Sequence, residues 1–173
     1  MKKKNSMDVH FSSKTNEWDT PQAFYDILDR MFNFTLDPCA TEQSKKCEKY
    51  FTIQDDGLSK SWANETVFMN PPYGRQISKW IKKAYDESIN NSATVVCLIP
   101  SRTDTRYWHD YVMKSSELYF IKGRLKFGNS QSKPNSAPFP SAVVVFKPRH
   151  GEVIGGGNPA VYGMTNGGVK CQS

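Results

Sequence analysis

The chain has 173 residues, 38% of them hydrophobic and 23% charged, with a net charge of +6 and a pI of about 9.1. That is enough for one globular domain with a core, and no apolar run approaches the roughly 18 residues that a membrane span needs. The basic start Met1-Lys2-Lys3-Lys4-Asn5 lacks the apolar region of a signal peptide, so the expected location is the cytoplasm, with no membrane partner. The positive balance is compatible with a polyanionic partner, but on charge alone a solvated lysine surface is the favoured reading. Cys39, Cys47, Cys97 and Cys171 show no paired metal spacing, and His10, His109 and His150 are scattered; reduced thiols and no metal are the expectation.

In chain order, residues 1–16 are polar and read as a flexible N-terminus. At Trp18-Asp19-Thr20-Pro21, Thr20 suits an N-cap and Pro21 the first helical position. Phe24, Ile27, Leu28 and Met31 then mark one face of a helix. A tryptophan beside a capped helix start also makes a corner able to receive a cofactor. Residues 32–36 predict a short strand ending in Asp37-Pro38-Cys39-Ala40. In open α/β sheets ligands sit beyond the carboxyl ends of strands, and an acid followed by small residues lets a small ligand approach; an Asp-Pro turn is the plainer reading. Residues 50–53 predict a second strand, ending near Asp55 and Asp56. Asp55 follows Asp37 by 18 positions, close to the spacing at which nucleoside-binding folds place a ribose ligand, although a turn before Gly57 would also use an Asp.

The stretch Val67-Phe68-Met69-Asn70-Pro71-Pro72-Tyr73-Gly74 organises the rest. An apolar strand is stopped by two prolines, neither of which can donate to a ladder. Pro72 holds Pro71 extended, so the Pro71 carbonyl is a rigid acceptor. Asn70 adds an amide oxygen and Tyr73 a flat ring. Two acceptors beside an aromatic surface suit a planar group bearing an NH2, such as a nucleobase. A proline-stiffened strand–loop junction would need the same residues.

Next, Ile77, Trp80, Ile81, Ala84, Tyr85 and Ile89 form a helical face, and residues 94–99 are the clearest buried strand. A helix over 105–114, a strand over 117–121, a polar loop over 129–140 and a last strand over 141–146 follow. Residues 149–173, rich in Gly and Asn, read as a disordered tail, leaving 17–148 as the folded domain. The order of elements predicts an α/β fold with a mainly parallel sheet and one antiparallel strand near the C-terminus.

Asn70-Pro71-Pro72-Tyr73 resembles the active-site motif of amino-group methyltransferases that use S-adenosylmethionine. Asp37-Pro38-Cys39-Ala40, Trp18-Asp19-Thr20-Pro21 and Asp55-Asp56-Gly57-Leu58 resemble motifs of phage-type DNA N6-adenine methyltransferases, as does Gly123-Arg124-Leu125-Lys126-Phe127. The glycine-rich Phe-x-Gly-x-Gly loop of many methyltransferases is absent. The resemblance implies a Rossmann-like methyltransferase fold and methyl transfer to adenine N6 in double-stranded DNA, by a phage- or prophage-encoded enzyme in a bacterial host. It further implies that Asn70 and Pro71 hold the target nitrogen, that Pro72 and Tyr73 complete the site, and that Tyr73 stacks on the base. Trp18, Thr20, Pro21, Asp37, Pro38, Cys39, Ala40, Asp55 and Asp56 are then the cofactor-binding candidates. Arg102, Arg106, Lys122, Arg124 and Lys126 are candidates for phosphate contacts. An RNA or protein-glutamine methyltransferase, or a DNA-binding module that has lost catalysis, would share the active-site turn.

Overall fold

The computed structural model describes residues 18–127, 135–148 and 158–165. The predicted flexible N-terminus lies outside them, as do residues 129–134 of the polar loop. Helix α1 (Gln22–Phe32) leads into β1 (Leu36–Asp37) and β2 (Lys49–Tyr50); β3 (Thr66–Met69), α2 (Ile77–Asn90) and β4 (Thr94–Pro100) follow. The short α3 (Arg106–Asp110) and a 3-10 turn (Val112–Lys114) precede β5 (Glu117–Ile121), the small hairpin β6 (Lys126–Phe127) and β7 (Asn135–Ser136), then β8 (Ser141–Phe146) and β9 (Ala160–Met164).

Seven strands form one sheet in the order β2-β1-β3-β4-β8-β5-β9. β8 runs antiparallel to β4 and β5, and the other pairings in this sheet are parallel, which is the predicted architecture. The central strands are apolar almost throughout because both faces are covered. Alternate residues serve opposite layers. Val67, Met69, Val95, Cys97, Val144 and Phe146 pack with Trp80 and Ile81 of α2 and Trp108 of α3. Phe68, Val96, Leu98, Val143 and Val145 pack with Phe24, Tyr25 and Leu28 of α1 and with Leu125 and Phe127.

Several boundaries differ from expectation. The predicted strand over 32–36 starts late: Phe32 ends α1, and Asn33 turns the chain at φ 56° with its N–H on the Asp29 carbonyl. The second strand stops at Tyr50, because Thr52 enters a turn that Asp55 closes. The predicted helix over 105–114 is one short α-helix and a 3-10 turn. In α1 the buried face is Phe24, Tyr25 and Leu28, and Met31 is exposed. In α2 the buried side includes Glu87, which accepts from the Trp62 N–H (3.0 Å) and Asn91 Nδ2 (2.9 Å) and pairs with Lys83. That acid ties the 57–65 loop to the helix, where Trp62 stacks on Trp80.

The disordered tail expected over 149–173 is corrected for residues 160–164, which form β9 on the edge of the sheet; residues 149–157 and 166–173 lie outside the described residues. An edge strand needs few apolar side chains. Met164 is buried, while Val161 and Tyr162 are exposed and Tyr162 stacks on Tyr119 (4.9 Å between rings).

Candidate functional site

The chain leaves β1 toward β2 on one side of the sheet and returns to β3 on the other. That reversal opens a crevice at the carboxyl ends of β1 and β3, where α/β sheets bind ligands. A cleft of about 600 Å³ lies there. It is lined by Trp18, Thr20, Asp37, Pro38, Cys39, Ala40, Asp56, Asn70, Pro71 and Pro72 among the residues expected at the site. Pro21, Asp55 and Tyr73 are not in its wall.

Asp37 ends β1 with its side chain only 4% exposed. The carboxylate accepts the Cys39 N–H (3.2 Å) and the Lys46 N–H (3.1 Å). Burial raises its pKa to about 6, against those two hydrogen bonds and the nearby Lys46 charge. Burial also pushes the Cys39 thiol well up, with Asp37 adding to the effect.

The Asp55-Asp56-Gly57 stretch builds the opposite wall. Asp55 accepts from the Thr52 N–H and hydroxyl, both at 2.8 Å, and these bonds lower its pKa; it closes a turn and does not line the cleft. Asp56 lines the cleft at φ 53°. Gly57 is required by close approach, since a Cβ there would lie 2.3 Å from the Pro38 carbonyl oxygen. Its own carbonyl accepts from Trp62 Nε1 (3.0 Å).

Asn70 follows β3. Its Nδ2 donates to the Trp18 carbonyl (2.5 Å) and to Thr20 Oγ1 (3.0 Å), while its Oδ1 is buried with no partner among the described residues. The Trp18 carbonyl can only accept, which fixes which end of the amide faces it. Thr20 is therefore not the cap of α1: Pro21 holds that position, its carbonyl receiving the Phe24 and Tyr25 N–H groups (3.0 Å each), and no side chain caps the helix.

Tyr73 is buried and its hydroxyl donates to the Leu98 carbonyl (3.2 Å). The ring meets Phe139 edge-on (5.4 Å) and Phe127 (6.5 Å), and Trp18 packs on the same two phenylalanines.

Lys46 and Ile53 are among the cleft residues that were not foreseen. Lys46 lines the cleft half-buried, its Nζ donating to Gln22 Oε1 (2.9 Å), and burial lowers its pKa. Ile53, 88% exposed, stands at the same cleft. Residues 42–50 are mostly charged and polar, and nothing local marks Lys46 apart from its neighbours.

Three of the basic candidates, Arg102, Lys122 and Arg124, lie in loops that follow β4 and β5. β5 is parallel to β4, since both are antiparallel to β8, so the loops after both strands leave from the side where the cleft opens. Arg102 follows β4; Lys122 and Arg124 follow β5. Lys122, Arg124 and Lys126 are exposed, while Leu125 and Phe127 between them are buried. Arg106 pairs with Asp110 (3.1 Å) and is otherwise exposed.

The family model for DNA N-6-adenine-methyltransferase (Dam) matches residues 9–155. A protein of Haemophilus phage HP1 named DNA N-6-adenine-methyltransferase is 27% identical over 137 residues, 76% of this chain and 79% of that protein. One of the same name from Escherichia phage T1 is 29% identical over 110 residues, 62% of this chain and 45% of that protein. Among solved structures, a Listeria monocytogenes chain assigned to the class I S-adenosylmethionine-dependent methyltransferases has a TM-score of 0.41 at 12% identity, covering 66% of this chain and 42% of that one.

Proposed function

We propose that this chain, which belongs to the DNA N-6-adenine-methyltransferase (Dam) family, uses S-adenosylmethionine to methylate the N6 amino group of a flipped adenine in double-stranded DNA. The observation that carries the reading is Asn70: a buried amide oxygen without a partner among the described residues, at the end of β3, beside a cleft of cofactor size. When bound, the cofactor supplies an electrophilic methyl group. The residues of the cleft fit it. Asp37 suits the ammonium of the methionine end and Lys46 its carboxylate, which answers the lack of a glycine-rich loop. Asp56 takes the place at the ribose first expected of Asp55 or Asp56, and Ile53 offers apolar surface to the adenine ring.

Asn70 Oδ1 and the Pro71 carbonyl accept the two N–H groups of the target nitrogen. This orients its lone pair toward the methyl group, so catalysis is mainly positioning. A duplex base reaches the site only after leaving the stack. Stacking on Tyr73 requires Phe139 to give way, because that ring now covers it. The phage relatives support action inside a bacterial host cell. The names of the family and of both relatives favour DNA over RNA or protein as substrate.

The test is transfer of labelled methyl from S-adenosylmethionine to DNA, RNA and protein in parallel, with the DNA product digested to nucleosides. Label in N6-methyldeoxyadenosine is the expected result; label only in RNA, in protein or in a cytosine nucleoside would sink the reading.

DNA affinity is expected to fall steeply with salt. Replacing Arg124 and Lys126 together with Ala should flatten the slope of log affinity against log salt by about two units, if each neutralises one phosphate. Both side chains are exposed, so the change leaves the core intact. An unchanged slope in a fluorescence titration would remove this segment from the interface.

A further inference from the structure

We propose that Thr20 is a positioning residue for Asn70: with the Trp18 carbonyl it occupies both N–H groups of the amide and so fixes the direction of the Oδ1 acceptor. The inference rests on the methyltransferase reading above and assigns Thr20 a different task from cofactor binding. Three observations carry it. Nδ2 has two hydrogens, and two acceptors stand within reach, at 2.5 Å and 3.0 Å. Those acceptors lie about fifty positions earlier in the chain, so the contact is tertiary and does not belong to the Asn-Pro-Pro turn itself. Thr20 is 4% exposed and does not cap α1, so its hydroxyl is not committed to the helix start.

An amide is planar. Engaging both hydrogens sets its plane and its rotation together, and the oxygen is left pointing the opposite way. Without the Thr20 acceptor one hydrogen is unpaired in a buried site, and the side chain gains freedom to rotate toward other partners. A carboxylate at position 70 would set an oxygen against the Trp18 carbonyl, so this arrangement also selects Asn over Asp. The Trp18-Asp19-Thr20-Pro21 stretch thereby acquires a role at the reacting atom through two of its acceptors, one from the backbone and one from a side chain.

The experiment is a mutant cycle on the full chain, read by single-turnover methyl transfer to DNA and by calorimetry of S-adenosylmethionine binding. Thr20→Val keeps the shape and removes the acceptor; it should slow transfer about tenfold, the scale of one lost hydrogen bond. Cofactor affinity should stay within about twofold of the parent, which also reports that the variant is folded. Thr20→Ser should restore most of the rate. In the Asn70→Ala background Thr20→Val should change the rate by less than about twofold, because its partner is gone. A parental rate in Thr20→Val, an undiminished effect in the Asn70→Ala background, or a loss of cofactor affinity matching the loss of rate each overturns the proposal. A parent protein that transfers no methyl group overturns the methyltransferase reading and this inference with it, whereas an active parent with an indifferent Thr20 overturns this inference alone.

Discussion

Asn70→Ala should lower the rate of methyl transfer by about 10²–10³ while cofactor binding and the fold remain close to those of the parent. The size follows from what is removed. Asn70 Oδ1 is a preorganised acceptor, already oriented by two donated hydrogen bonds and already withdrawn from solvent. Nothing need reorganise around it when the amino nitrogen begins to form its new bond. The backbone survives the change because β3 is held by its ladders to β1 and β4 rather than by this side chain. Alanine also removes a buried acceptor that has no partner, which offsets part of the cost of leaving the Trp18 carbonyl without its donor. Single-turnover transfer with saturating cofactor isolates the step, and a rate near that of the parent would take Asn70 out of the mechanism.

Asp37→Asn should weaken S-adenosylmethionine binding by about 1.5–3 kcal/mol, the range for a hydrogen bond to a charged group. The charge can be read separately through pH. Burial holds the Asp37 pKa near 6, above the ordinary value of 3.8. A raised carboxyl pKa favours the protonated form in the folded protein. The stability this group contributes to the unliganded chain is therefore full below about pH 4 and lost as the pH rises through about 6. Binding of a cationic ammonium runs the other way, because it needs the carboxylate: affinity should rise as the pH climbs through about 6 and level off above it. Calorimetry across pH 5 to 7.5 should show that rise in the parent and a flat, weak profile in Asp37→Asn. Asp55→Asn, whose residue closes a turn off the cleft, should bind the cofactor like the parent. If Asp37→Asn matches the parent across this range, the ammonium lies elsewhere.

What the sequence made legible, and what it hid, follows from the range of the interactions involved. The strands β3, β4 and β8 and the Asn70–Gly74 turn were readable because their causes are local: apolar runs buried on both faces, then two prolines that cannot continue a ladder. Asp37 was readable as an acid at a strand end. The bond from Asn70 to Thr20 was not, since before a proline Thr20 looks like a helix cap, and only the packing of α1 against β3 brings its hydroxyl to Asn70. The opposite error befell Asp55, where a spacing argument pointed to a ligand and the local turn won. Glu87 sits on a helical face where an acid is expected to be solvated, and is buried because the loop before β3 lends it a backbone N–H. β9 escaped notice among glycines because a parallel edge strand takes most of its stability from the ladder to β5.

The place of β8 has a consequence for the order in which a growing chain can complete this molecule. The described residues lining the cleft run from Trp18 to Trp80, so all of them are synthesised within the first half of the protein. The strand that joins β4 to β5 comes from residues 141–146. Until those residues leave the ribosome, the outer edge of β4 has no neighbour, and β5 has nothing to dock against in the sheet. An apolar seven-residue strand with an open edge is the kind of surface that recruits other chains. The late arrival of β8 sets the interval during which the nascent protein is exposed to that hazard, with its Asn70–Gly74 turn already made and its support still missing.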